Sequence, residues 1–129
     1  MANFEPKIKL EHADSRGEIY SISLPGDKEL MLLHSKKGSL RGGHAHDVDE
    51  TITLLTGTIH YQKRNLDGTE WTETMKEGDA AYVPKGLFHL AEFAEDSWLL
   101  EWKLCENKHS WRNINDPEYR AKVVANSAG

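Results

Sequence analysis

Cysteine is nearly absent: Cys105 is the one example among 129 residues. That excludes an internal disulfide and a cysteine-rich zinc module. It fits a reducing, intracellular setting. Positive charge is not concentrated anywhere. Sixteen Lys and Arg stand against 21 Asp and Glu, for a net charge of −5, and the lack of a basic run argues against nucleic-acid binding. No apolar run approaches membrane-spanning length, and the opening Met1-Ala2-Asn3-Phe4-Glu5-Pro6-Lys7 has no apolar signal core. Internal repeats, low-complexity tracts and linkers are also missing. The expectation is one cytoplasmic domain over residues 1–129, partnered by neither nucleic acid nor membrane, and long enough to bury a core.

What the chain does have is a succession of short alternating segments. Ile8 and Leu10 alternate with lysines as in an edge strand, and Glu18–Ser23, Leu30–His34, Thr51–Thr56, Thr58–Arg64, Thr69–Met75 and Ala80–Val83 follow. Turns separate them, at Asp14–Gly17, Pro25–Asp27 and Asn65–Gly68, where Asp67-Gly68 tolerates positive φ. Trp98–Leu104 is the last strong strand. Trp98, Leu100, Trp102 and Leu104 share one of its faces, which is expected to point inward. Asp116 can then cap a helix and Pro117 fits its first turn, so a short helix is expected over about 117–125, with Asn126–Gly129 fraying. About nine or ten short strands predict an all-β class, an antiparallel barrel or sandwich.

Two stretches carry chemistry. In the first, His44 and His46 are two apart, so an extended chain puts both imidazoles on one face. Glu50 has the same parity, and so do the apolar Val48, Ile52 and Leu54. A metal-seeking cluster on an otherwise apolar face needs a reason, because such groups are costly to bury alone. The second stretch, Gly78–His89, offers His89 as a fourth ligand if the two strands lie together. Arg41, just before the histidines, can pair with a surface acid or meet an anionic substrate. Gly42 and Gly43 allow backbone to pass close to a bound group. Tyr82, Phe88, Phe93, Trp98 and Trp102 read as core, some of them lining a cavity. Of the other histidines, His34 reads as a rim residue, His60 as an outer one, and His12 and His109 as turn residues.

The first stretch resembles the first motif of the cupins, in Gly38, His44, His46, Glu50 and Gly57. The second is similar to their second motif, in Gly78, Pro84, Gly86 and His89, with Phe93 where an Asn is usual. Together the motifs span residues 38–93. The resemblance implies a cupin-type jelly-roll barrel with its core at about 30–105. It also implies a homodimer and a divalent metal held by His44, His46, Glu50 and His89. Such a donor set suits iron, manganese, nickel or zinc and leaves positions open for a small-molecule substrate. Arg41, Tyr82, Trp98 and Trp102 are the candidate substrate-binding residues. The function expected is a metal-dependent enzyme, a dioxygenase-like oxidoreductase or an isomerase. A narrower likeness, in Asp14-x-Arg16-Gly17 and Arg41-Gly42-x-His44-Ala45-His46, is to the sugar-nucleotide 3,4-ketoisomerase branch. There the paired histidines would shuttle protons without a metal. A third possibility is a module that binds a small acid or sugar without converting it.

Overall fold

The computed structural model describes residues 4–127. Its strands are β1 (Ile8–Asp14), β2 (Gly17–Leu24), β3 (Lys28–Ser35), β4 (Leu40–His46), β5 (Glu50–Thr56), β6 (Thr58–Arg64), β7 (Glu70–Lys76), β8 (Ala80–Val83), β9 (Phe88–Phe93), β10 (Ser97–Lys103) and β11 (Asn113–Asn115). One helix follows, α1 (Pro117–Ser127). Two antiparallel sheets face each other. One has the order β1-β2-β3-β10-β5-β8 and the other β11-β4-β9-β6-β7. The chain alternates between them, so most neighbours in a sheet are distant in sequence.

The core lies between the sheets. Leu33, Ile52, Leu54, Ile59, Tyr61, Val83, Phe93 and Leu99 are buried there. Ile52 and Leu54 have the parity expected from the first motif. β10 reverses the expectation. Leu99 is buried, and Glu101 and Lys103 line the interior cavity on the same parity, while Trp102 is 43% exposed and Leu104 44%. Trp98 instead stacks on His34, 4.6 Å between ring centroids, and on Tyr20. The physical reason is that the interior end of β10 is polar. Lys103 lies directly across from Glu50, and a buried charge takes its partner inside with it. The large apolar side chains are left to cover the outer sheet face.

α1 starts as its sequence predicts. The Asp116 carboxylate accepts the Tyr119 N–H at 3.0 Å, and the Asp116 carbonyl accepts from Arg120 at 2.8 Å. Tyr119 and Val123 pack on Leu90, on the outer face of the β4/β9 pair. Gly43 makes this possible. It has φ +80°, and a Cβ there would come 3.0 Å from the Arg120 backbone nitrogen. At Gly42 a Cβ would come 2.9 Å from the His89 carbonyl oxygen. The close approach served by these glycines is therefore the protein's own. Fraying from Asn126 is not seen. Its side chain accepts from Leu40 N–H at 2.8 Å and donates to Gly38 O at 3.0 Å. Ala128 and Gly129 lie outside the described residues.

Candidate metal centre

β4 ends in His44 and His46, and a bulge between Gly42 and His44 sets His44 directly across from His89 on β9. The three imidazoles converge, each offering a nitrogen within 4.8 Å of the others. Their ring centroids are 4.7 to 5.0 Å apart. His46 and His89 are buried, and His44 is half-buried on the wall of a cavity of about 260 Å³.

Second partners decide which nitrogens face the cavity. His46 Nδ1 lies 2.8 Å from Asn113 Oδ1, and His89 Nδ1 lies 3.2 Å from the Leu87 carbonyl oxygen. Both oxygens accept, so with Asn113 oriented as it stands each Nδ1 carries the hydrogen. Each Nε2 keeps its lone pair. Burial lowers the pKa of His44 to about 2, with the neighbouring His89 and His46 adding to the effect. Burial also lowers His89, to about 4, against the pull of Glu50. Both rings are neutral at neutral pH and available as ligands.

Glu50 adjoins the cluster through His46, its Oε1 lying 3.4 Å from His46 Nε2. It is fully buried, with no hydrogen-bond partner for either oxygen, and His46 Nε2 has none either. Burial raises the Glu50 pKa, but the positive charge of Lys103 works against it and the carboxyl stays below its usual value, ionised at neutral pH. A buried carboxylate facing a lone pair at 3.4 Å needs a cation beside them. Lys103 Nζ supplies part of that charge. It stands 3.0 Å from Oε2, an ion pair whose angles fall short of a hydrogen bond. The donor set, three imidazoles beside one orphaned carboxylate, fits a divalent transition metal.

Arg41 lies on the cavity wall and is 6% exposed. Its Nε donates to Ser35 Oγ at 2.6 Å and its Nη2 to the His34 carbonyl at 3.1 Å. Burial lowers its pKa to about 10, which leaves it cationic at neutral pH. The other three candidate substrate residues lie elsewhere. Tyr82 is 55% exposed, its hydroxyl donating to Asp49 outside the barrel. Trp102 lines a separate groove with Leu24, Leu30 and Leu100 on the outer sheet face. Trp98 is held in the outer aromatic stack described above. An inward tryptophan face was expected from hydropathy alone, and the polar interior overrides it.

Four residues of the site carry no local sequence signal. Glu101 and Lys103 reach it through the register of β10 against β5. Trp111 and Asn113 come from the segment after β10. The Trp111 ring stands 5.6 Å from that of His46, edge to face, and Lys103 Nζ lies 4.2 Å from the Trp111 centroid. Burial pushes the Glu101 carboxyl up, and the charge of Glu50 adds to this. Arg16 reaches the cavity edge in the grip of Asp14, with Nη2 to Oδ2 at 2.6 Å, and also donates to Leu40 O at 3.1 Å.

The fold and the site together define a double-sheet antiparallel barrel with a histidine cluster in its mouth. This is the cupin fold. CapF from Staphylococcus aureus, a capsular polysaccharide assembling protein, is similar over 88% of this chain and 35% of its own, with 17% identity and a TM-score of 0.65. A variant of oxalate decarboxylase from Bacillus subtilis is similar over 85% of this chain and 30% of its own, with 18% identity and a TM-score of 0.65. Another structure of that decarboxylase, studied for its Mn(II) centres, is similar over 77% of this chain and 27% of its own, with 20% identity and a TM-score of 0.58. The chain thus spans about a third of the length of these solved chains or less. No family model and no curated protein sequence matches it. Among the described residues, no helix is long and apolar enough to cross a membrane.

Proposed function

We propose that the chain is a metal-dependent enzyme acting on a small molecule in the barrel cavity. His44, His46 and His89 hold the ion, with one oxygen of Glu50. The observation that carries this reading is the orphaned pair, His46 Nε2 and the Glu50 carboxylate, buried beside two neutral imidazoles. A bound divalent ion would act there as a Lewis acid, or as a redox centre if it is iron or manganese. Manganese is a natural first candidate, because a structural neighbour is described by its Mn(II) centres. The chain's residues keep the ligand nitrogens unprotonated and leave the cavity side open to substrate. Within this reading an oxidoreductase of the dioxygenase type is favoured over an isomerase, since three His and one Glu suit iron or manganese. A cytoplasmic homodimer belongs to the same proposal.

One observation favours a second reading. Arg16, Arg41, His44 and His46 all line one cavity, and these residues carry the likeness to sugar-nucleotide 3,4-ketoisomerases. A polysaccharide assembling protein is also among the structural neighbours. In that case His44 and His46 would move protons on a sugar nucleotide without a metal.

Elemental analysis of protein purified without added metal, paired with a sugar-nucleotide isomerase assay, separates the two. The metal reading expects a stoichiometric ion in the wild type, weaker binding in Glu50→Gln, and no isomerase activity in either. Isomerase turnover that survives both a chelator and Glu50→Gln would overturn it.

A further inference from the structure

We propose that the metal-loaded cavity is a site for a small oxyanion, and that Lys103 makes it one by holding the charge of Glu50 away from the ion. This rests on the metal reading above and names its substrate class. Glu50 on β5 and Lys103 on β10 are direct register partners, both pointing inward. Lys103 is not a loose surface cation. Its side chain is 9% exposed, pinned between Glu50 Oε2 at 3.0 Å and the Trp111 ring at 4.2 Å. Oε1 faces His46 Nε2 on the other side. The carboxylate is therefore divided, one oxygen toward the histidines and the other toward the ammonium. It meets an ion through a single oxygen, its charge already offset in part by Lys103.

The charge balance of the cavity then decides the ligand. Arg16, Arg41, Lys103 and Arg120 bring four positive charges, and Glu29, Glu101, Glu50 and the Asp14 that grips Arg16 bring at most four negative ones. The two charges of a divalent ion held beside the buried His46, His89 and Glu50 are left without a partner, which is costly. A small anion completes the balance. Arg41 has a donor ready for it. Its Nε and Nη2 are committed to Ser35 and His34, while among the described residues Nη1 has no protein acceptor. A cationic N–H on a buried side chain at the cavity wall suits a carboxylate or another oxyanion.

The test measures Mn²⁺ binding, then malonate and malonamide binding to the Mn²⁺-loaded protein, by titration calorimetry. Malonamide has nearly the shape of malonate without its charge. In Lys103→Met the full charge of Glu50 reaches the ion. Mn²⁺ should bind about tenfold more tightly and malonate about tenfold more weakly, with malonamide unchanged. The double variant Lys103→Met/Glu50→Gln removes both partners of the ion pair, so it avoids leaving a lone buried carboxylate. With Mn²⁺ saturating, it should bind malonate more tightly than Lys103→Met does, and about tenfold more weakly than Glu50→Gln alone, in which the ammonium is unopposed. This arm keeps the test decisive if Lys103→Met does not fold by circular dichroism. Malonate affinity unchanged in Lys103→Met, weaker Mn²⁺ binding there, or malonate binding in the double variant no weaker than in Glu50→Gln would overturn the proposal. A wild type that takes up none of Mn²⁺, Fe²⁺, Ni²⁺ and Zn²⁺ would instead overturn the metal reading itself.

Discussion

Asn113 decides which nitrogen of His46 faces the cavity. Its carboxamide oxygen holds Nδ1 at 2.8 Å, so the ring is fixed in rotation and in tautomer. A residue of this kind touches no ion, yet outer partners of ligating histidines typically contribute about 10- to 100-fold to metal affinity. Asn113→Ala should therefore weaken metal binding by that order while the barrel stays folded, since β11 is a three-residue exposed strand. Asn113→Asp keeps the acceptor and should keep most of the affinity. Metal titration of both variants, with circular dichroism as the control for folding, checks this. The sequence did not make Asn113 legible, because no local pattern ties it to His46. Its place follows from the pairing of β11 with β4, a contact across 67 residues. His44 and His46 were legible because a two-residue spacing on an extended chain needs no tertiary information.

At the scale of elements, β10 is where hydropathy misleads. Its alternation is plain, but which side is inside depends on what the neighbouring strands place there. β5 puts Glu50 inside, and across from it stands Lys103. The apolar tryptophan face consequently covers the outer surface, where aromatic stacking with His34 and Tyr20 takes the place of core burial. Two adjacent leucines report this difference. Leu99 is 2% exposed in the core and Leu100 lines the outer groove. Leu99→Ala should cost about 2–5 kcal/mol, the usual range for a buried Leu truncation. Leu100→Ala should cost clearly less. Urea denaturation of the two variants measures the gap, and equal losses would mean that β10 is turned the other way. The helix, by contrast, was readable from its start, because a cap and a proline act locally. Its end was not, since Asn126 is held by Gly38 and Leu40 on another element.

Across the whole molecule the fold was legible because turn chemistry and strand alternation repeat along the entire chain. The site was half legible. Residues in the two motifs could be named in advance, while the charge partners that tune them come from register and from the segment after β10. That cluster also sets how stability depends on pH in metal-free protein. His44 and His89 titrate near 6.5 in the unfolded chain but only at about 2 and about 4 when folded. A folded pKa below the unfolded one means that the unfolded state binds more protons between the two values. The stability these rings contribute is then complete above about pH 6.5 and is lost as pH falls toward the folded values. Each ring contributes a slope on the order of 1 kcal/mol per pH unit in that window. Asp14, held well below the usual carboxylate range mainly by its bond to Arg16, adds its loss only at more acid pH. Thermal melts in chelator should therefore fall steeply from pH 7 to pH 5. Adding Mn²⁺ at pH 7 should raise the midpoint, as for any ligand bound by the folded state alone. Replacing both rings, as His44→Gln/His89→Gln, should flatten the pH slope and abolish the metal-induced rise together. A double variant that keeps the steep slope would place the acid-sensitive groups outside the cluster.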